Sequence, residues 1–448
     1  MRKILALILS FVSITYTQAQ DWINNESTLL YEDNLKSNEN SQCIEEYNIH
    51  HLLTTTNKIG TNRYAFRLWN INDSVKEGFL NDPRQIISDI EIFDDSVYFC
   101  GYRIVNGTNV GYIGRFSMQQ FINNQSCGYE ILDITTSSKL KKLVAYESNN
   151  RDHIVAIGTN TSDNPIVVDL FPDSVCNIFE NIALQYERLS DIAVGEKYVV
   201  ITGEDTGSAK ITLTRFLAED LSDYSLGYHE HNKYDYTNVV DIAPFMLGVD
   251  QVKISYLDSC RMAITTTAMD YSNNSFYTLV SVFNEHHLNI LNTQVVPHND
   301  KMIYLRDTEY DSIAGMLYVL EDNNLDNTGY FTSYTLPLDP YSQIPHPIEA
   351  IKNAKDYKLN DIIALSLGNK FIGVGVNVNP YQGLFSKDVS ITTQHCNDVK
   401  ILKPLILGQV NKISATQYGI LSSISVNWQQ NNFNVNNYPQ IIECQSNY

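Results

Sequence analysis

Apolar and polar residues alternate in short runs of five to seven, separated by clusters of Asn, Asp and Gly, over most of the chain. "DIEIF" from Asp89, the turn pair "DD" and "SVYFCGY" ending at Tyr102 read as two strands joined by a tight turn. A polar loop, "RIVNGTN", leads to a third strand, "VGYIGRF", ending at Phe116. The same order returns in "KLVAYESNNRDHIVAIGTNTSDNPIVVDLF" to Phe171 and in "DIAVGEKYVVITGEDTGSAKITLTRF" to Phe216. It returns again in the segment closing at Phe283, in "MIYLRDTEY" onward, and in "DIIALSLGNKFIGVGVN". Unit starts fall near 90, 142, 191, 252, 304, 361 and 412, the last in a degraded copy made of "KISATQYGILSSISVN" with "NFNVNNYPQIIEC". Asp89 to Gly101, Asp191 to Gly203 and Asp361 to Gly373 share one spacing of twelve positions. No segment between the strands has helical periodicity. Linking segments such as "GYEILDIT" (128–135) and "HLNILNTQVV" (287–296) supply a fourth strand per unit.

A four-stranded unit that is apolar on both faces cannot stand alone; stacking each on the next and closing the circle buries all of them. The repeat, with a period of about 50 to 60 residues, thus resembles β-propeller repeat proteins, and the resemblance covers residues 45 to 445. It implies an all-β fold: a single β-propeller of seven four-stranded blades, with six or eight as alternatives and a pair of β-sandwiches ranked second. No "GH…WD", Gly-Gly doublet or "DxDxDG" signature assigns a particular propeller family. Residues 48–71 also read as strands, completing the last blade or forming one of their own. The expected organisation is a signal peptide at 1–19, an irregular leader at 20–44 and a propeller domain at 45–448.

The leader reading rests on Arg2 and Lys3, the apolar run Ile4 to Ile14, and small residues Thr17 and Ala19 at a cleavage site. The run is too short to span a bilayer. The expected location is outside the cytoplasm: secreted, periplasmic or cell-surface. Composition narrows the partners. The net charge is −20, with no long basic runs. That disfavours nucleic acid and anionic membrane surfaces, both of which require cationic neutralisation. The seven Cys form no CxxC pair, and their spacing excludes a zinc ribbon or finger. One or two disulfides fit an oxidising compartment. Cys100 alternates with Tyr98 and reads as a buried small apolar residue.

Candidate chemistry is sparse. Asp89, Asp191 and Asp361 recur in register, and a carboxylate at a strand start suits backbone amides better than acid–base work; Asp241 and Asp398 resemble them out of register. Asp322, Asn324 and Asp326 begin a calcium-loop pattern, which then fails at Asn327 and Ser333. His229, Glu230 and His231 read as an exposed linker, and His286 and His287 as poor co-ligands. No GxSxG, phosphate-loop or dinucleotide motif occurs. Among 29 Tyr, residues 102, 112, 271, 277, 330 and 381 fall near predicted loops, where aromatics stack on sugars or peptides. No catalytic residue, metal ligand or cofactor is therefore assigned, and binding residues stay open. The functional expectation is an exported, monomeric, non-catalytic propeller that binds a glycan, peptide or protein through one face. The alternatives are a secreted glycan-acting hydrolase or lyase with carboxylates at the channel mouth, and a structural component of the cell envelope with a large apolar patch on one rim.

Overall fold

The computed structural model describes residues 29–439 apart from connecting stretches, the longest being 181–186, 222–229, 245–251, 336–347, 365–370 and 389–396. The described residues form antiparallel strands throughout, with one short helix, Met118–Asn123. The strands assemble into seven sheets. Sheet I takes Glu39–Asn48, His51–Lys58, Arg63–Asn70 and Ser74–Phe79; sheet II takes Gln85–Phe93, Ser96–Val105, Thr108–Ser117 and Gly128–Thr136. Sheet III takes Ser138–Ser148, Arg151–Asn160, Pro165–Leu170 and Val175–Glu180; sheet IV takes Glu187–Val194, Tyr198–Asp205, Lys210–Leu217 and Glu230–Asp235. Sheet V takes Val252–Asp258, with Ile242–Pro244 beside it, then Arg261–Asp270, Ser275–Asn284 and Asn289–His298. Sheet VI takes Ile303–Asp311, Met316–Asn323, Thr328–Thr335 and Ile348–Asn353. Sheet VII takes Tyr357–Ala364, Phe371–Val378 and Tyr381–Asp388, and its fourth strand, Leu29–Ser37, comes from the other end of the chain.

The first strands of consecutive sheets lie against one another, and the first strand of sheet VII also lies against that of sheet I. Between neighbours the two faces interdigitate. In sheet II, Phe99 faces the cluster shared with sheet I, while Tyr98 and Cys100 face the cluster shared with Ile154, Ala156 and Val168 of sheet III. Val199 and Ile201 of sheet IV turn to sheet III, and Val200 turns to Val252 and Ile264 of sheet V. Burial on both faces explains why Tyr198–Asp205 is buried at every position and why its text reads as a continuous apolar run at its centre.

Two features differ from the expectation. The segment expected as a degraded last unit is not a sheet. With the two strands before it, from Asn397, it forms a perimeter segment that adds an outer edge strand to sheets VI, V, IV, III, II and I in turn. Six strands do this: Asn397–Leu402, Leu405–Ile406, Asn411–Ser414, Gly419–Ser425, Gln429–Asn432 and Asn434–Pro439. The last two, Gln429–Asn432 and Asn434–Pro439, are short and polar and edge existing sheets. Phe433 anchors them, inserting among Phe66, Phe116, Phe121 and Tyr129 with ring centroids 4.6–5.8 Å apart. Trp428 adds a second anchor, donating to the Pro172 carbonyl at 2.9 Å and lying under Arg115. The second difference lies at the N-terminus. Residues 20–44 are not wholly irregular, because Leu29–Ser37 and the start of Glu39–Asn48 are strands, and the run 48–71 belongs to a sheet of its own.

The repeated spacing also has a physical cause. In sheets II, III, IV, VI and VII the pairing of the first strand skips one residue: Ser88, Lys141, Ser190, Arg306 and Asn360. Such a bulge sharpens the local bend and re-aims the next side chain. Gly101, Gly158 and Gly203 stand across from it, and a Cβ there would run into the carbonyl oxygen of Ile86, Lys139 and Arg188 respectively. The third match, Asp361 to Gly373, is coincidental. Gly373 pairs with Ile362, and the equivalent residue of sheet VII is Gly375, opposite Leu359.

Candidate functional site

The residues that follow the five bulges, Asp89, Lys142, Asp191, Asp307 and Asp361, begin an inner ring. Cys43 of sheet I and Lys253 of sheet V, which follow no such one-residue skip, stand at the matching places in their first strands. Each Asp reaches across to the next sheet. Asp89 Oδ2 accepts the Leu143 N–H at 2.9 Å, and Asp191 Oδ2 accepts that of Ile254 at 3.0 Å. Asp307 Oδ2 accepts the Ile362 N–H at 3.1 Å, and Asp361 Oδ2 accepts the Ile44 N–H at 2.8 Å, joining sheet VII to sheet I. The first strand has no neighbour on its inner edge, so these carboxylates satisfy amides that the ladders leave open. Lys142 Nζ lies 3.2 Å from Asp89 Oδ1.

Two cavities meet at this ring and share Lys142, Asp307 and Asp361 as walls. The wider one, about 440 Å³, forms a mouth. Its wall includes the bulge residues Ser88, Lys141, Ser190, Arg306 and Asn360, with Gln42 from sheet I and the rings of Tyr64 and Tyr102. The Ser190 side chain is buried, with 1% of the residue exposed, and its Oγ has no hydrogen-bond partner. The narrower cavity, about 150 Å³, lies along the strands past the ring and carries Glu45, Glu91 and Glu309 two positions beyond it.

This arrangement separates charge along one axis. Lys141, Lys142, Lys253 and Arg306 line the mouth against Asp307 and Asp361. The narrower cavity sets three Glu and four Asp against Lys142. Burial and the Asp89 charge push Glu91 up to about 8. Burial, Asp307 and Glu91 push Glu309 up to about 8. Asp361 rises well above the usual carboxylate range through burial, the Asp307 charge and a hydrogen bond with Asp307. Burial would lower the Lys142 ammonium, yet Asp89, Asp361, Asp307 and Asp191 more than offset it and hold it well above its usual value. The narrower cavity therefore gathers seven carboxyl groups around one ammonium, and Glu91 and Glu309 stay protonated at neutral pH because ionising them there is costly.

Asp89, Asp191 and Asp361 are thus brought into one ring, and their structural role follows from their hydrogen bonds. Sequence reasoning missed Asp307, Lys142 and Lys253, because no glycine stands twelve positions after any of them. Their signal was positional: each lies within the first strand of its repeat. Of the tyrosines, Tyr102 lines the mouth, whereas Tyr112 is fully buried and donates to the Ile86 carbonyl. Tyr277 packs partly buried against the core between sheets IV and V. Tyr330 and Tyr381 lie in strands, and Tyr271 lies outside the described residues.

Glu230 and His231 are not in an exposed linker. They open the fourth strand of sheet IV, where buried His231 contacts Thr214 Oγ1 at 2.6 Å and Glu187 Oε1 at 3.0 Å. Asp322 is in a strand, Asp398 in the perimeter segment, and His229, Asp241, Asn324, Asp326 and Asn327 lie outside the described residues. Cys43, Cys100, Cys127 and Cys176 are buried free thiols and Cys260 is a half-buried one. Among the described residues no group of three or more His, Cys, Asp or Glu is placed to hold a metal ion, and no helix is long and apolar enough to cross a membrane. No protein-family model matches the chain, and no curated protein matches it in sequence.

Proposed function

We propose that the seven sheets are the blades of one β-propeller, and that the exported protein binds a ligand at the mouth of its axial channel without transforming it. The cyclic contact of the first strands supports the propeller. So does the Asp361 to Ile44 hydrogen bond, between residues 317 positions apart. The strand Leu29–Ser37 completes the last blade as a clasp. The observation that carries the binding reading is the recurrence of the bulge: one backbone device, repeated in five sheets, places a polar side chain on the wall of the same cavity. That cavity has the size of a small-ligand site and few, convergent polar groups.

The glycan-acting alternative requires free acid–base carboxylates. The four ring Asp each accept a backbone amide instead and so are not free for it, which leaves Glu45, Glu91 and Glu309 as the carboxyls that alternative would have to use. The experiment is ligand screening of the chain beside Ser190→Trp, which fills the mouth. The reading predicts a ligand whose affinity falls in the variant. Equal responses of the two proteins to every ligand would reject it.

A further inference from the structure

The mouth and the narrower cavity beyond the ring together form a site with cationic groups at one end and carboxyl groups at the other. A ligand that matches only the mouth, such as a neutral sugar, would satisfy the amide and hydroxyl groups there and leave the carboxyl groups beyond the ring unengaged. A simple anion would face those carboxyl groups. A metal ion needs several ligands converging on one point, and the described residues offer no such group. An ammonium needs less: three donors that can be shared among separated carboxylate oxygens. Resting on the mouth as the binding site, we propose that the axial cavity takes a short peptide of two or three residues. Its free α-ammonium points inward to Glu45, Glu91 and Glu309, and its carboxylate is held at the mouth by Lys141 and Arg306.

The dimensions agree. Bulge residue and the Glu past the ring are three positions apart on the same strand, for example Ser88 and Glu91, which is about 10 Å of extended chain. A di- or tripeptide spans roughly 7 to 10 Å between its ends. The mouth, at about 440 Å³, leaves room for small side chains. Ser190 lies in the wall of the mouth as a buried residue whose Oγ has no hydrogen-bond partner. Tyr64 and Tyr102 frame the rim against which the second or third residue would lie. Glu91 and Glu309 hold protons at neutral pH, so an entering ammonium displaces them and binding releases protons.

The test is calorimetric titration of the full chain with trialanine, N-acetyl-trialanine, trialanine amide and a neutral trisaccharide, at pH 7 in buffers of different ionisation enthalpy. Trialanine is expected to bind with proton release, and N-acetylation to weaken it by about tenfold or more, the scale of one lost charge-assisted contact. Glu91→Gln with Glu309→Gln should weaken trialanine and leave the acetylated peptide unchanged, both variants keeping the parent circular dichroism spectrum. Lys141→Ala with Arg306→Ala should weaken the free acid more than the amide.

Equal binding of the acetylated peptide, binding without proton release, or no trialanine binding at all overturns the proposal. If the trisaccharide alone binds and Ser190→Trp abolishes it, the peptide proposal fails and the mouth stands as a ligand site. If every probe that binds does so equally to Ser190→Trp, the mouth reading itself fails.

Discussion

Replacing Glu91 and Glu309 together by Gln should make the protein more stable at pH 8 and leave it unchanged near pH 4.5. In the native chain both carboxyls keep their protons up to about pH 8, because burial and neighbouring carboxylates oppose ionisation. In the unfolded chain they ionise near pH 4.5. Between those limits the native state binds more protons than the unfolded state, so stability must fall as pH rises. The contribution is complete below about pH 4.5 and is lost progressively through pH 8. A single group shifted this far is worth on the order of 4 kcal/mol. Because Glu91 itself raises Glu309, we assign that amount to the pair rather than to each. For a chain of this length it corresponds to about 5 °C in Tm.

Gln keeps the shape and neutrality of a protonated Glu but cannot ionise. Thermal unfolding followed by circular dichroism at pH 5, 6, 7 and 8 should therefore show the parent losing Tm as pH rises. The double variant should lose less, with a remainder from Glu45, Asp89, Asp191 and Asp361, which burial shifts in the same direction. A parent Tm that is flat or rises from pH 5 to 8, or a double variant less stable than the parent at pH 8, would refute the reasoning.

Other consequences are as direct. Phe433→Ala empties a site enclosed by four aromatic rings and should cost about 3–5 kcal/mol, with faster proteolysis of the perimeter segment read by mass spectrometry. Gly203→Ala should destabilise by about 1–3 kcal/mol by forcing a methyl against the Arg188 carbonyl, measured by chemical denaturation; Gly107→Ala, in open space but at a φ of 80°, should be less costly. Incubation with neutral and acidic polysaccharides should release no new reducing ends; release that Glu91→Gln abolishes would favour the glycan-acting alternative.

The sheets were legible from alternation because each strand carries its own pattern, and Gly128–Thr136 and Asn289–His298 are the fourth strands that the linking text suggested. The perimeter segment was not legible. "QQNN" and "NVNNYP" have no amphipathic signature, since their partners sit hundreds of positions earlier and supply the whole apolar surface. In isolation Phe433 looks like one aromatic among polar residues, and only the pocket between sheets I and II gives it meaning. The ring was half legible. Asp89 and Asp191 announce it through their glycines, while Lys142 and Cys43 occupy the same place with different chemistry and so escape any motif. The mouth depends on bulge residues whose identities, Ser, Lys, Arg and Asn, share nothing but position.

The central claim is that the chain's seventh sheet closes on its first through Asp361 and Ile44. Hydrogen exchange of Asp361→Ala against the parent tests it most directly. The account predicts faster exchange in Glu39–Asn48, more than three hundred residues away in sequence, with Glu187–Val194 of sheet IV unchanged. Identical protection of Glu39–Asn48 in both proteins would contradict it.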